Sequence, residues 1–385
     1  MARLGDVCSF ITDGSHNPPP GIEKSDYFML SSKNIEDDRI TLAEPRYLSL
    51  LDFESENRRT HITSGDLLMT IVGTVGRVAI VPDDMPSFCV QRSVAVIKCK
   101  REVISNRFLM YQLQNMRPIL ERESRGVAQK GIYLKQVSEL PIIVPSISSQ
   151  KYIVAVMDKA SHLIALKQQQ LQKLDELVKS RFIEMFGTYP SNLKAWETGT
   201  IRDIVTDVRY GSSRPAVEGG KYPYLRMNNI TYGGELDLTD TKYIDIPDNE
   251  LEKCTVHRGD VLFNRTNSKE LVGKTCVYDR DELMVLAGFV IRVRVTERVL
   301  PEFLSAFLNT DFSKKMLAGM CKTAIGQANI NAQEMQNIGL YFPPVKLQQQ
   351  FVQFKKQTDK SKLVIQQGLE KLETLKKALM QKYFG

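Results

Sequence analysis

One stretch of the sequence comes close to a motif that binds nucleotide phosphates. Residues 268–275 read SKELVGKT and differ from a P-loop at Ser268, where that motif has glycine. Glycine permits the tight turn through which backbone N–H groups surround the phosphates. A related stretch earlier in the chain, Val72–Arg77, has no Lys-Ser or Lys-Thr pair. The pattern therefore favours an ordinary turn between two strands over a nucleotide site.

Two further near-motifs each lack an essential residue. Residues 17–20, NPPP, resemble the loop of amino-methyltransferases, but Pro20 stands where an aromatic ring must stack on the target base, and no glycine-rich loop for S-adenosylmethionine is found. Pro82-Asp83 and Pro247-Asp248 are possible starts of metal-dependent nuclease cores, yet no [DE]xK triplet follows either pair. Neither methyl transfer nor nuclease chemistry is indicated.

Cysteine and histidine residues offer no site either. The six cysteines are scattered without a CxxC pair, and the four histidines lie at no zinc-binding spacing from them. No serine or cysteine belongs to a motif that pairs it with histidine. We therefore expect no catalytic residue, no metal site and no disulfide framework, which suits a reducing cytoplasm.

The dominant pattern is an internal repeat with a period of about 197 residues. Short matches recur in the same order in both halves: Asn34-Ile35 and Asn229-Ile230, His61–Leu68 and His257–Leu262, Phe186-Gly187 and Phe384-Gly385. Residues 94–99 and 290–295 predict equivalent strands, the second with Ile291, Val293 and Val295 alternating against Arg292 and Arg294. Equivalent helices are predicted from Asn106 to Met116, before Pro118, and from Pro301 to Met316.

Each half is expected to contain a mixed domain followed by one long helix. The predicted fold is α+β, with mixed domains at residues 1–145 and 188–343 and helices at residues 146–187 and 344–385. Neither helix has an internal proline, and each ends at a glycine, Gly187 or Gly385. The domains would be separated by these two helices in a pseudo-two-fold arrangement.

The long helices carry apolar residues at spacings of three and four, which calls for a partner surface. We expect the helices to pair as an antiparallel coiled coil; the alternative is that each stripe packs on its own domain. The residues predicted to pair are Ile153, Ile164, Leu171, Leu174, Val178, Phe182, Phe351, Ile365, Leu369, Leu372, Leu375 and Leu379.

Composition limits the class of protein. With 42% hydrophobic and 25% charged residues the chain is globular rather than disordered. No apolar run reaches the length of a membrane span, and the start lacks a signal-peptide layout. Residues 344–385 hold nine basic and three acidic residues and thus carry most of the net charge of +7. A basic helix fits nucleic acid, an acidic partner or solvent equally well.

Along its whole length the chain resembles the specificity subunits of type I restriction-modification systems. The resemblance rests on a set of stretches present in duplicate: Asp13–Pro19, Gly65–Ile80, Gly259–Thr275, Leu140–Pro145 with Gln150, and Phe342–Pro344 with Gln348. The halves differ at Gln129–Ile132, where the second half has the more typical Gln327–Ile330.

The resemblance implies a non-catalytic subunit that reads a bipartite DNA target. Each domain would recognise one half, and the helices would fix the gap between the halves. The implied partners are double-stranded DNA, two modification subunits that bind S-adenosylmethionine, and restriction subunits that use ATP, so that this chain needs no cofactor. The alternative from a different class is a two-domain coiled-coil scaffold that binds protein.

Arg, Lys, Asn and Gln hydrogen-bond base edges and phosphates. Those in glycine-rich or irregular segments are therefore the candidate DNA contacts. In the first half these are Arg77, Arg92, Arg125, Gln129 and Lys130. In the second half they are Arg209, Arg214, Arg226, Asn228, Arg265, Asn267 and Lys274.

Overall fold

A computed structural model of the chain describes residues 1–124, 131–324 and 327–385. The chain forms two compact units. Unit 1 comprises Met1–Lys167 and Gly368–Gly385, and unit 2 comprises Gln168–Gln367. Each unit therefore combines one mixed domain with one end of each long helix.

Among the residues that the structure describes, unit 1 contains eleven short strands, four complete helices and one end of each long helix. The strands are β1 (Ala2–Arg3), β2 (Cys8–Asp13), β3 (Phe28–Leu30), β4 (Ile35–Glu36), β5 (Arg39–Ile40), β6 (Arg46–Tyr47), β7 (Leu67–Thr70), β8 (Val78–Ile80), β9 (Phe88–Val90), β10 (Val94–Cys99) and β11 (Pro141–Ile142). The helices are α1 (Leu4–Val7), α2 (Leu50–Thr60), α3 (Asn106–Glu123), α4 (Leu134–Ser138) and the long α5 (Ile147–Phe186).

Unit 2 repeats this order of elements. Its strands are β12 (Glu197–Thr200), β13 (Val205–Tyr210), β14 (Tyr222–Leu225), β15 (Lys242–Ile244), β16 (Thr255–Val256), β17 (Val261–Asn264), β18 (Thr266–Asn267), β19 (Thr275–Val277), β20 (Met284–Leu286), β21 (Val290–Val295), β22 (Lys322–Ala324), β23 (Gln327–Asn329) and β24 (Gly339–Phe342). Its helices are α6 (Asp248–Cys254), α7 (Pro301–Leu308), α8 (Asp311–Met320), α9 (Ala332–Gln336) and the long α10 (Val345–Phe384).

The two units share one sheet topology, which confirms the predicted repeat and the α+β class. A four-stranded antiparallel sheet has the order β2-β10-β7-β8 in unit 1 and β13-β21-β17-β19 in unit 2. A second sheet, β6-β3-β9 or β15-β14-β20-β16, contains one parallel pair in each unit, β3 with β9 and β14 with β20. The predicted strands at 94–99 and 290–295 are the central strands β10 and β21.

Apolar residues of the four-stranded sheet and the helices form the core of each unit. In unit 1, Met69 and Ile97 from the sheet pack with Phe108 of α3 and with Phe384 of α10. In unit 2 the core is rich in aromatic rings, and Phe182 of α5 lies 5.5 Å from Phe303 of α7 between ring centroids. The ends of the long helices thus pack into the domain cores.

One glutamine anchors the start of each long helix. Gln150 is fully buried; its amide donates to the carbonyls of Val103 and Pro145 at 3.0 and 2.9 Å, and its oxygen accepts from the Ser105 N–H at 2.8 Å. Gln348 makes the equivalent bonds in unit 2. These bonds satisfy buried backbone groups that would otherwise be unpaired.

The long helices run antiparallel within each unit. In unit 2 the rings of Phe182 and Phe351 lie 5.3 Å apart, and farther along the pair Lys362 Nζ lies 2.7 Å from an Asp175 oxygen. In unit 1 a Cβ atom on Gly368 would lie 3.8 Å from the Lys167 side chain. Burial lowers the pKa of Lys362, but its two ion pairs outweigh that effect and raise it overall.

The residues predicted to pair differ in burial. Ile153, Phe182, Phe351 and Leu369 are buried. Ile164, Leu171, Leu174, Val178, Ile365, Leu372 and Leu379 are half-buried. Leu375 is 51% exposed, so its side chain lies off this seam. From Leu372 the inward-facing positions continue through Lys376 to Leu379.

Two helix predictions were wrong. Helix α3 does not stop before Pro118 but continues to Glu123, because the extra turn places Leu120, only 2% exposed, in the core. The helix predicted from Pro301 to Met316 is two helices, α7 and α8. The break comes at Thr310, whose hydroxyl caps α8 by accepting from the Ser313 N–H at 3.3 Å.

Candidate nucleic-acid interface

Three loops meet at one end of the four-stranded sheet in each unit. We call them the loop platform: residues 13–16, 71–77 and 91–93 in unit 1, and residues 210–214, 265–274 and 287–289 in unit 2. These loops follow β2, β7 and β9 in unit 1 and β13, β17 and β20 in unit 2. They hold most of the candidate DNA contacts that the structure describes.

Backbone hydrogen bonds join the three loops in the same way in both units. In unit 1 the Ser15 N–H donates to Val90 O at 2.9 Å, and the Arg92 N–H returns to Ser15 O at 2.8 Å. In unit 2 the Ser212 N–H donates to Leu286 O at 2.6 Å, and the Gly288 N–H returns to Ser212 O at 2.7 Å. The loop that follows β7 or β17 is also bonded to this pair of loops. In unit 1 the Ile71 N–H donates to Ser93 O at 2.9 Å, and in unit 2 the Arg265 N–H donates to Phe289 O at 3.0 Å. The two platforms thus have one backbone and different side chains.

A glycine is required at the crossing of the first two loops. A Cβ atom on Gly14 would lie 1.8 Å from Val90 O, and one on Gly211 would lie 2.1 Å from Leu286 O. Both distances are far below van der Waals contact, so only glycine fits. The Gly-Ser pair shared by residues 14–15 and 211–212 therefore marks a structural crossing.

In unit 1 the platform carries cations without carboxylate partners. Arg92 is exposed and Arg77 is half-buried, and neither forms an ion pair with any residue that the structure describes. Asp13 beside them is occupied, since Arg59 and His16 contact its two oxygens at 2.6 and 2.8 Å. Arg125, Gln129 and Lys130 lie outside the described residues.

In unit 2 the platform combines one arginine with aromatic rings. The Arg265 guanidinium lies 4.9 Å from the centroid of the Tyr210 ring. Its Nε is buried and has no hydrogen-bond partner among the described residues. Asn267 is half-buried close by on β18. Arg265 is thus held over an aromatic ring while its side chain stays partly exposed.

Three other candidate arginines of unit 2 are already paired with carboxylates. Each forms an ion pair at 2.8 to 2.9 Å: Arg209 with Asp207, Arg214 with Glu250 and Arg226 with Asp240. Asn228 is exposed on a 3₁₀ turn, Met227–Asn229, away from the platform loops in sequence. The charges of the three arginines are therefore largely neutralised within the unit.

Lys274 is a structural lysine. It is 8% exposed, and its ammonium donates to the carbonyls of Met227 and Ile230 at 3.0 and 2.5 Å. Burial lowers its pKa. The Gly273 N–H, which a P-loop would point at a phosphate, donates to Asn264 O at 2.8 Å. The near-P-loop is therefore a turn between β18 and β19, as predicted.

Three residues near the platform of unit 2 were not among the sequence-based candidates. Tyr210 and Phe289 are 40% and 54% exposed, but the candidates comprised only Arg, Lys, Asn and Gln side chains. Arg292 was expected opposite the apolar face of its strand, yet it is only 4% exposed and donates to Asp207 at 2.8 Å. Aligning the two halves would have paired Arg292 with Val96 and exposed the difference.

Within the described ranges, no group of three His, Cys, Asp or Glu side chains is arranged to hold a metal ion. Over the same part of the chain, no helix is both long and apolar enough to cross a membrane.

The chain belongs to the type I restriction modification DNA specificity domain family, whose model matches it twice, at residues 2–176 and 194–374. The two matches cover the two halves of the repeat. The chain therefore contains two specificity domains, as the resemblance indicated.

Curated relatives agree with this assignment. The type I restriction enzyme EcoKI specificity subunit of Escherichia coli K12 is 22% identical over 263 residues, which is 63% of this chain and 56% of that protein. A putative type I restriction enzyme MjaX specificity subunit of Methanocaldococcus jannaschii is 26% identical over 193 residues, 49% of this chain and 45% of that protein. The matches thus span about half the length of these relatives.

Solved structures share the fold. The S subunit of a type I restriction-modification system from M. genitalium has a TM-score of 0.56 at 12% identity, over 100% of this chain and 95% of that chain. A chain from a study of complex assembly and conformational transition in a type I R-M system has a TM-score of 0.58 at 17% identity, over 100% and 96%.

Proposed function

We propose that this chain is the DNA-reading subunit of a type I restriction-modification complex and that each unit reads one half of a bipartite duplex target. The observation that carries the proposal is the loop platform, which occurs twice on one hydrogen-bonded backbone with different side chains. A reader of two different half-sites needs this combination of a constant scaffold and variable contacts. Family membership supports the same reading, and no finding favours the scaffold alternative.

The platforms would bind DNA by different chemistry. In unit 1, Arg92 and Arg77 lack carboxylate partners among the described residues and are available for phosphates or for guanine. In unit 2, Arg265 and Asn267 would make the polar base contacts, while Arg209, Arg214 and Arg226 would serve mainly to hold their loops. Lys274 would act inside unit 2 and not on DNA.

Catalysis would belong to partner subunits. We propose that two modification subunits supply S-adenosylmethionine and methylate the target, and that restriction subunits supply ATP-dependent cleavage, in the cytoplasm. The near-motifs for phosphate binding and methyl transfer in this chain lack their key residues, Ser268 and Pro20 standing in place of them. The purified chain alone should therefore transfer no methyl group from S-adenosylmethionine.

Sequencing the methylated sites of cells that express this chain with its modification partner is the direct test. Wild type should give one bipartite site; Arg92→Ala should relax or lose only one half, and Arg265→Ala only the other. Arg258→Ala is the matched control, because Arg258 is an exposed arginine of unit 2 paired with Asp281 at 2.7 Å, outside the platform. Absence of any sequence-specific methylation, or a change of both halves by one variant, would contradict the proposal.

A further inference from the structure

An exposed phenylalanine stands on the platform of unit 2. Phe289 is 54% exposed and lies in the loop between β20 and β21. A single exposed apolar residue is ordinary on a protein surface and has no meaning alone. Its setting gives it meaning, because it lies among the side chains proposed to contact bases.

The backbone of Phe289 is fixed on both sides. Its carbonyl accepts from the Arg265 N–H at 3.0 Å, and the preceding Gly288 N–H donates to Ser212 O at 2.7 Å. The following Val290 is fully buried in the sheet. The ring therefore projects from an ordered loop, so that contact with a ligand would cost little backbone entropy.

The neighbours of Phe289 are suited to a base edge. Arg265 is only half-buried, and its guanidinium lies over the Tyr210 ring, 4.9 Å from the centroid. In unit 1 the position of Phe289 is taken by Ser93, whose carbonyl makes the same bond, to the Ile71 N–H at 2.9 Å. The aromatic ring is thus a difference in side chain on a shared backbone, as expected of a specificity determinant.

We infer that Phe289 contacts the C5-methyl group of a thymine in the half-site read by unit 2. This inference rests on the proposed function. In the major groove the thymine methyl is the apolar feature by which a base pair is distinguished, and phenylalanine is among the side chains that contact it. A hydrogen-bonding neighbour such as Arg265 would read an adjacent base. Removing a buried methyl group changes affinity by a factor of about four.

Uracil in place of thymine tests the contact directly, because it removes only the methyl group. Affinity of the complex with its modification subunits is measured on the wild-type site and on duplexes with single thymine-to-uracil changes. One uracil in the unit 2 half-site should weaken wild-type binding about fourfold. Phe289→Ser, which installs the residue of unit 1, should abolish that penalty, whereas Phe289→Leu should retain most of it.

The control is Leu283→Ser. Leu283 is also exposed, at 43%, but it precedes β20, whereas Phe289 lies in the loop that follows this strand. This substitution should leave the uracil penalty unchanged. The inference is overturned if uracil weakens binding equally in wild type and Phe289→Ser, or if no thymine in that half-site is sensitive to the change. In either case, specific binding by wild type would still support the proposed function. Loss of assembly with the modification subunits in Phe289→Ser would also overturn it. Failure of wild type to bind any specific duplex would instead contradict the proposed function.

Discussion

Units 1 and 2 share a backbone plan but differ in what lies inside the four-stranded sheet. Val96, the third residue of β10, is fully buried among apolar neighbours in unit 1. The third residue of β21 is Arg292, which donates to the Thr255 carbonyl and to Asp207. Although burial opposes it, hydrogen bonds from Arg209 and Arg292 hold the pKa of Asp207 below its usual value. The same strand position thus tolerates a charge where partners exist.

On the platforms, in contrast to the sheet interior, the arginines without an ion-pair partner in the described structure are mainly those of unit 1. On its platform unit 1 presents Arg77 and Arg92, which have no carboxylate partner among the described residues. The platform of unit 2 has two arginines, of which Arg214 is paired with Glu250 and Arg265 lies over Tyr210. Phosphate contacts raise affinity for any DNA, while contacts to base edges add specificity. The comparison indicates that unit 1 contributes more of the charge-dependent affinity and that unit 2 depends more on Arg265 and its aromatic neighbours.

The largest effect is expected from placing the arginine of unit 2 in unit 1. Val96→Arg would bury a cation among apolar side chains, because Phe10 and not an aspartate occupies the position equivalent to Asp207. The second carboxylate beside Arg292 is Asp260, and its equivalent, Asp66, is already paired with Lys98. We expect a loss of about 4 kcal/mol or more in the free energy of unfolding. Denaturant titration measures it.

The reverse change, Arg292→Val, should cost only about 2 kcal/mol. The two carboxylates beside Arg292 would each keep another arginine as partner, Asp207 with Arg209 and Asp260 with Arg294, both at 2.8 Å. Equal losses would contradict the comparison.

The loop crossing should be sensitive in both units. Gly14→Ala and Gly211→Ala would each force a methyl group into a backbone carbonyl and should each cost roughly 3 kcal/mol of stability. Each should also impair recognition of one half-site only. Gly233→Ala is the control, because its Cβ atom would meet only the Thr231 hydroxyl at 3.8 Å. A mild effect in either unit would show that its platform is not held by this crossing.

The two glutamines at the start of the long helices, Gln150 and Gln348, should contribute equally to stability. Gln150→Ala and Gln348→Ala each leave one N–H and two carbonyls without their partner, so that we expect about 2 kcal/mol lost in either case. Gln349→Ala, next to Gln348 but exposed, should be close to neutral. Thermal unfolding of the three variants side by side gives the answer. A clear difference between the two buried glutamines would break the symmetry described here.

The smallest expected effect concerns charge on the platforms. Arg92→Ala should reduce the slope of log affinity against log salt by about one, because the proposed DNA-facing surface loses one cation. The double change Arg214→Ala with Glu250→Ala should leave the slope unaltered, since it removes an internally neutral pair. Duplex titrations of the assembled complex over a range of salt measure both. An equal reduction in the two variants would mean that Arg214 contacts phosphate despite its partner.

The sequence predicted what depends on periodicity and repetition. Both long helices and the strands at 94–99 and 290–295 follow from apolar spacing and from glycine stops, and they were found. Helix α3 passed Pro118 because burial of Leu120 outweighs a broken backbone bond, which local rules do not capture. Which cations are free to contact DNA could not be predicted for the same reason. Arg214 and Lys274 look alike in sequence, but the fold brings Glu250 to Arg214 and two backbone carbonyls to Lys274.

The core of unit 1 includes Phe384, whose ring lies 5.2 Å from that of Phe108. Met1–Lys167, the larger part of unit 1, is synthesised before any of Gln168–Gln367. An amino-terminal domain ordinarily completes its folding during synthesis. Here the amino-terminal unit must wait, with part of its apolar core uncovered, until translation has passed through all of unit 2. During that interval the uncovered apolar surface of unit 1 would be available to a chaperone.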